Sequence, residues 1–265
     1  MKYLTKEWYA KMQRTDLYFG LQVSKKAEEY SDNYYQALYN KAQKRHIKDF
    51  SDFTSYKKIK KIFLENIDDN SNLTDKDIER EFKNLNKEML FGMSIEENFD
   101  YRQKQIIERL KTDIPEEILN KVKDIRVLAL GYVSSEVYKL LKEYCDINEK
   151  FVEEKFREYE RVESEQFKNE AIGFLEESFH DCFIIDINKE KNNLVIQLDN
   201  NQSFTNKTNI VFQNYNTILD ENINKSWWLY EEVYKNNDRY EVHILTSGDR
   251  GLKELIVDCD DIILS

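Results

Sequence analysis

The chain has 265 residues, of which 34% are charged and 40% hydrophobic, and it carries a formal net charge of −11. Tyr 17, Phe 15 and Trp 3 supply enough bulky apolar surface for a folded core, which excludes a disordered chain. The acidity argues against a nucleic-acid partner, whose affinity comes largely from Lys and Arg displacing phosphate counterions.

Gly 6 and Pro 1 leave few helix breakers. Thr5 ahead of Lys6-Glu7-Trp8 is an N-cap signal, and Trp8, Tyr9 and Met12 recur at helical spacing. Gly20 permits a turn. Ala27, Tyr30, Tyr34, Leu38 and Ala42 predict a second helix ending near Lys44 and Arg45, cations favoured there by the helix dipole. Lys57, Lys58, Lys60 and Lys61, interleaved with Ile59, Ile62 and Phe63, read as the solvated face of an amphipathic helix and not as a nucleic-acid patch. After a polar break at 68–72, Thr74 and Asp77 form a capping-box-like start for a helix carrying Ile78, Phe82, Leu85 and Met89.

A further helix is expected over Phe99–Leu110. Pro115, just inside a helix start and followed by Glu116 and Glu117, opens an apolar segment through Ile118, Val122, Ile125 and Leu128 to Gly131, expected as one buried helix. Ser134 or Ser135 then caps a long helix. If continuous to Phe167, it would run roughly 50 Å at about 1.5 Å per residue. Its stripe, including Tyr144 and Phe151, is either a bundle backbone or a homodimer seam.

Near Ser178 the period changes. Phe183, Ile185 and Ile187 alternate with Cys182, Ile184 and Asp186, as a strand requires. Asn192-Asn193 and Asn200-Asn201 are turn signals around Leu194–Leu198, and Ile210–Phe212 reads as another strand. Trp227–Tyr234, Arg239–Leu245 and Leu252–Val257 follow, joined by Asn236-Asn237-Asp238 and by the 247–251 turn. No helical pattern separates these strands, so a parallel nucleotide-binding sheet is not expected. The expected fold is therefore α+β: a helical, bundle-like part over residues 1–177, then an antiparallel meander of about five to seven strands over 178–265.

Cys145, Cys182 and Cys259 are far apart with no C-x-x-C pair, which predicts a reducing cytoplasm. Met1–Trp8 lacks an apolar signal region, and Val127–Val133 is too short to span a bilayer, so no membrane association is expected.

No phosphate-binding loop, G-x-S-x-G or H-E-x-x-H motif occurs. Among three histidines, His46 lies in the basic stretch and reads as a surface residue. His180 and Cys182 would share one strand face with Asp186 further along it, and His243 shares a face with Glu241. If their strands were neighbours, His180, Cys182 and His243 would form a soft, zinc-type site with an acidic surround. Alternatively, His180-Asp181 anchors the first strand to loop backbone, and His243 sits on the sheet surface paired with Glu241. Adjacent Trp227 and Trp228 face opposite sides of a strand. Trp228, Tyr230 and Tyr234 would share one side, either packed on the helices or exposed as a partner-binding patch.

Lys2–Tyr9, Pro115–Leu119 with Asp124–Gly131, Phe179–Cys182, Ser226–Tyr234 and Tyr240–His243 together resemble a bacterial family known as domain of unknown function 4085. The resemblance covers essentially the whole chain and implies no catalytic residues. The Phe-His-Asp opening also resembles one in small β-rich immunity proteins of bacterial toxin systems, which implies a partner-binding role by analogy. The expected function is that of an acidic cytoplasmic protein-binding protein, immunity-like, without catalytic activity or cofactor. The alternative is a metal-dependent hydrolase using His180 and His243 with zinc.

Overall fold

A computed structural model describes residues 1–53, 80, 84, 90–168, 172–249 and 251–265. Lys57, Lys58, Lys60 and Lys61, the break at 68–72, the helix expected from Thr74 to Met89 and the turn residue Arg250 lie outside the described residues. Helices occupy the N-terminal half and an eight-stranded antiparallel sheet the C-terminal part, so the fold is α+β as expected. No helix among the described residues is long and apolar enough to cross a membrane. By its contacts the chain forms two compact units, Met1–Asp16 with Cys145–Ser265 and Leu17–Tyr144. The composition seam at Ser178 marks where helix gives way to strand, which is a different division.

Within Leu17–Tyr144 the complete helices range from 4 to 22 residues. Helix α1 (Lys6–Met12) precedes this unit. Inside it lie α2 (Asp32–Phe53), α3 (Ile95–Asp113), α4 (Glu116–Leu119), α5 (Ile125–Ala129) and the start of α6 (Ser135–Gln166). The helix α2 begins later than the Ala27 spacing predicts, because the Ser31 hydroxyl accepts the Tyr34 N–H at 3.3 Å and opens it there. Ser94 forms a full capping box with Glu97 on α3. The single buried helix expected after Pro115 is two helices: Asp124 leaves the helical conformation and accepts the Arg126 N–H at 2.9 Å, starting α5 afresh. Arg126 also bonds Asp32 at 2.8 Å and lies 4.3 Å over the Tyr35 ring. Strands β1 (Gln22–Val23) and β2 (Tyr132–Val133) pair in parallel, and Ile118, Leu128, Val133, Val137 and Leu141 form the local core. The half-buried His46 packs 5.4 Å from Phe99 and is not simply a surface residue.

In the other unit α7 (Gly173–Glu176) leads into the strands β3 (Phe183–Lys189), β4 (Asn193–Asp199), β5 (Asn209–Gln213), β6 (Asn216–Asp220), β7 (Trp227–Asn236), β8 (Arg239–Gly248), β9 (Gly251–Cys259) and β10 (Asp261–Leu264). The spatial order is β10-β5-β4-β3-β7-β8-β9-β6. This is two three-stranded meanders joined through the β3–β7 pairing, with β6 and β10 not anticipated from the sequence. Only Asp260 separates β9 from β10, yet β10 pairs with β5 at the far end. The sheet therefore curls on itself around Ile184, Ile196, Phe212, Trp228, Ile244 and Val257. Phe174 and Phe179 close this core beside Trp228, with Phe179 and Trp228 ring centroids 5.3 Å apart.

The opposite face of β7 and β8 carries a second cluster of Leu4, Trp8, Tyr159 and Tyr234. Thr5 caps α1 by accepting the Trp8 N–H. The Trp8 indole donates to Val152 O at 3.0 Å, fixing α1 against α6. Fully buried Glu232 of β7 accepts the backbone N–H groups of Lys2 (2.7 Å), Tyr3 (2.8 Å) and Leu4, as well as the Tyr234 hydroxyl at 2.8 Å. A carboxylate buried in this way is tolerated because charged hydrogen bonds surround it. On the long helix, Tyr144 packs with the core of the Leu17–Tyr144 unit, to which it belongs, and Phe151 with the Leu4–Trp8 cluster.

Candidate functional site

The turn over Phe179–Cys182 is where the composition changes, and its backbone holds the start of β3. The Asp181 N–H donates to Trp228 O at 3.1 Å, and the Trp228 N–H donates to Cys182 O at 2.8 Å. Asp181 adopts a φ of 66°, a left-handed conformation that Asp tolerates better than most residues. This turn, β7 and the 200–207 loop bound a cleft of about 370 Å³, lined by Ser178, His180, Asp181, Phe204, Leu229, Tyr230 and Glu231. His180 Nδ1 lies 3.1 Å from Asp181 Oδ2, and its ring meets Tyr230 edge-on at 5.4 Å. The strand is thus anchored by the turn's backbone, while the imidazole points to the cleft.

A β-bulge shapes the far wall. Trp228 pairs with Thr246 but Tyr230 pairs with Leu245, so Leu229 is an extra residue in β7. The extra residue reverses the alternation. Trp228 turns into the sheet core, whereas Tyr230 and Tyr234 turn to the α1 side. Trp228 is 0% exposed and Tyr234 5%, so neither is the exposed partner-binding residue that uninterrupted alternation allows. Of that trio, Tyr230 alone lines the cleft.

His180, Cys182 and His243 are not brought together. β7 lies between β3 and β8, so the adjacency that a zinc-type site would need is absent. Cys182 packs in the sheet core, where burial pushes its thiol up, opposite to what a thiolate ligand requires. A second bulge, between Ile184 and Asp186, removes Asp186 from the face of Cys182, and Asp186 instead accepts from Asn224 at 3.3 Å. His243 lies on the other face with Tyr234, 5.2 Å from its ring. Its Nε2 is 2.7 Å from Glu241, the expected pairing, but it is buried and not on the surface. Burial lowers its pKa, and the Glu241 hydrogen bond opposes that shift. No group of three or more His, Cys, Asp or Glu among the described residues has the arrangement to hold a metal ion, so these residues do not fit zinc.

The group the sequence reading missed is Glu231. One oxygen, Oε2, accepts the Trp228 indole N–H at 2.6 Å, and no other hydrogen bond is made to the carboxyl among the described residues. Burial pushes its pKa up to about 7; the indole bond opposes this, and Glu163 adds to it. Burial also raises the Tyr230 hydroxyl, with Tyr9, Glu231 and Asp181 adding to the shift. The only hint in the sequence was Glu231-Glu232, two acids inside an otherwise apolar strand.

A carboxyl held protonated in the fold but ionised in the unfolded chain costs stability as pH rises from its ordinary value through its folded one. Glu231→Gln keeps the acceptor for Trp228 and removes that cost. The variant should match the wild type near pH 4 and exceed it by about 2–3 kcal/mol at pH 8, measured by denaturant unfolding at each pH. Equal stability at both pH values would contradict the raised pKa.

A family model described as "Protein of unknown function (DUF4085)" matches residues 57–252. No curated protein and no solved structure matches the chain.

Proposed function

Since the chain belongs to the DUF4085 family, whose description assigns no activity, we propose from its geometry that the protein is an acidic, non-catalytic binding protein, immunity-like in engaging a protein partner through its β-rich part. The observation that carries this reading is Phe204. Its side chain is 97% exposed on the lip of the cleft, beside Leu229 and Tyr230. A large apolar ring held in water next to a concave, partly apolar surface has the form of a docking anchor, because burying it on association returns the free energy lost by exposing it. Trp227 at 39% and Ile185 at 39% extend the exposed apolar character across β3 and β7. Cys145, Cys182 and Cys259, buried and outside any disulfide, suit a reducing cytoplasm as the place where it acts.

Phe204→Glu tests the reading. Tagged wild type, incubated with extract of the cells that encode it, should retain a specific protein. The variant should retain at least about tenfold less, equivalent to about 1.4 kcal/mol, while its melting temperature stays unchanged because the ring is exposed. Identical retention by both proteins would overturn the proposal.

A further inference from the structure

We infer that the cleft beside Ser178 is a receptor for a single basic side chain, an arginine or lysine presented by the protein partner. This rests on the protein-binding reading above and specifies what the partner inserts.

The wall chemistry selects a cation. Asp181, Glu231, Tyr230 and Phe204 line it beside His180, and among the described residues no Lys or Arg does. Aromatic faces and carboxylates both attract an ammonium or guanidinium group, and their combination on one concave surface favours a cation over an anion or a purely apolar ligand. At about 370 Å³ the cleft lies at the small end of the ~300–1,000 Å³ typical of small-ligand sites, which suits one long side chain and not a folded segment.

The charges already present leave the site short of a countercharge. Glu163 of α6 acts on Glu231 in the same sense as burial, and Trp228 contributes only a neutral donor. On the facing turn, Asp181 is 3.1 Å from His180 and adds to the upward shift that burial gives the hydroxyls of Tyr9 on α1 and Tyr230 on β7. Glu231 Oε1 makes no hydrogen bond among the described residues, while Oε2 is held by the indole. A cation arriving at Oε1 would supply the missing partner, ionise Glu231 and release its proton. Binding is therefore expected to strengthen as pH rises through the neutral range.

The indole N–H of Trp228 donates directly to Glu231, so its nuclear magnetic resonance signal is a local reporter of the site. The probe is acetyl-arginine-amide, with acetyl-citrulline-amide as its neutral isostere. The arginine probe should shift this signal saturably and the citrulline probe should not. Its affinity should rise about tenfold between pH 6 and pH 8 in the wild type. Glu231→Gln should weaken binding at pH 8 at least tenfold and flatten the pH dependence. Asp181→Asn, which keeps a residue tolerant of positive φ, should weaken binding without flattening it. Equal binding of citrulline and arginine probes, or undiminished binding to Glu231→Gln, would overturn the inference. If Phe204→Glu loses a protein partner while the arginine probe fails to bind, the docking reading stands and the cation site falls. If the probe binds but no partner depends on Phe204, the cation chemistry stands and its protein source falls.

Discussion

Trp228→Ala should lower the stability of the β-rich unit by about 3–5 kcal/mol, the cost of removing a large aromatic from a closed core and leaving a cavity. The indole is 0% exposed, packs against Phe179 at 5.3 Å and Phe174 at 6.2 Å, and donates its N–H to Glu231. Truncation would remove both the packing and that donor. Whole-protein stabilities are commonly only about 5–15 kcal/mol, so soluble expression should fall as well. Denaturant unfolding gives the number directly. Should the alanine variant be too unstable to purify, Trp228→Phe keeps most of the volume and should cost less while still removing the bond to Glu231. A loss below about 1 kcal/mol in the alanine variant, with loss of a binding partner, would return Trp228 to the role of an exposed docking residue.

Glu232→Ala should release the N-terminal segment. The carboxylate accepts the N–H groups of Lys2, Tyr3 and Leu4 and the Tyr234 hydroxyl from a fully buried position, so its removal leaves several donors without an acceptor. Breaking a buried charged network from one side costs about 3–5 kcal/mol. To regain water, the backbone N–H groups of residues 2–4 would move away from β7 and take Leu4 and Trp8, each 2% exposed, out of their cluster. Backbone amides of residues 2–12 should therefore exchange hydrogen much faster in the variant, and Trp8 fluorescence should move to longer wavelength. Amides of β4 and β5, distant in the sheet order, should keep their protection. Unchanged exchange in residues 2–12 would show that packing of Leu4 and Trp8 holds the segment without the carboxylate.

Much of the fold could be read from local pattern. Thr5 as a helix cap, the continuous helix from Ser135, the change to strand after Ser178 and the hairpins at Asn192-Asn193, Asn200-Asn201 and Asn236-Asn237 depend on residues close in sequence. Residue spacing and turn chemistry act over a few positions, so one chain reveals them. Asp124 shows the limit: a short acidic side chain capping α5 interrupts an apolar run that spacing alone reads as one helix.

The site was legible only in part. The Phe179–Cys182 turn stood out by composition, and His243 with Glu241 followed from alternation. The sides taken by Trp228 and Asp186 did not follow, because the bulges at Leu229 and Ile185 each add one residue and reverse a period-two pattern without any mark in that pattern. Strand order was also out of reach, since pairing of β3 with β7 depends on contacts between distant segments.

By itself, then, the sequence determined most of the longer helices and strands among the described residues, that the chain is acidic, and that its chemistry changes at Ser178. Tertiary structure alone decided that Trp228 is core, that β7 separates His180 from His243, that Glu232 binds the N-terminal backbone, and that Glu231, Tyr230 and Phe204 meet Asp181 around one cleft. Local propensity governs the first group, whereas the second depends on register and burial, which exist only once the sheet has closed on itself.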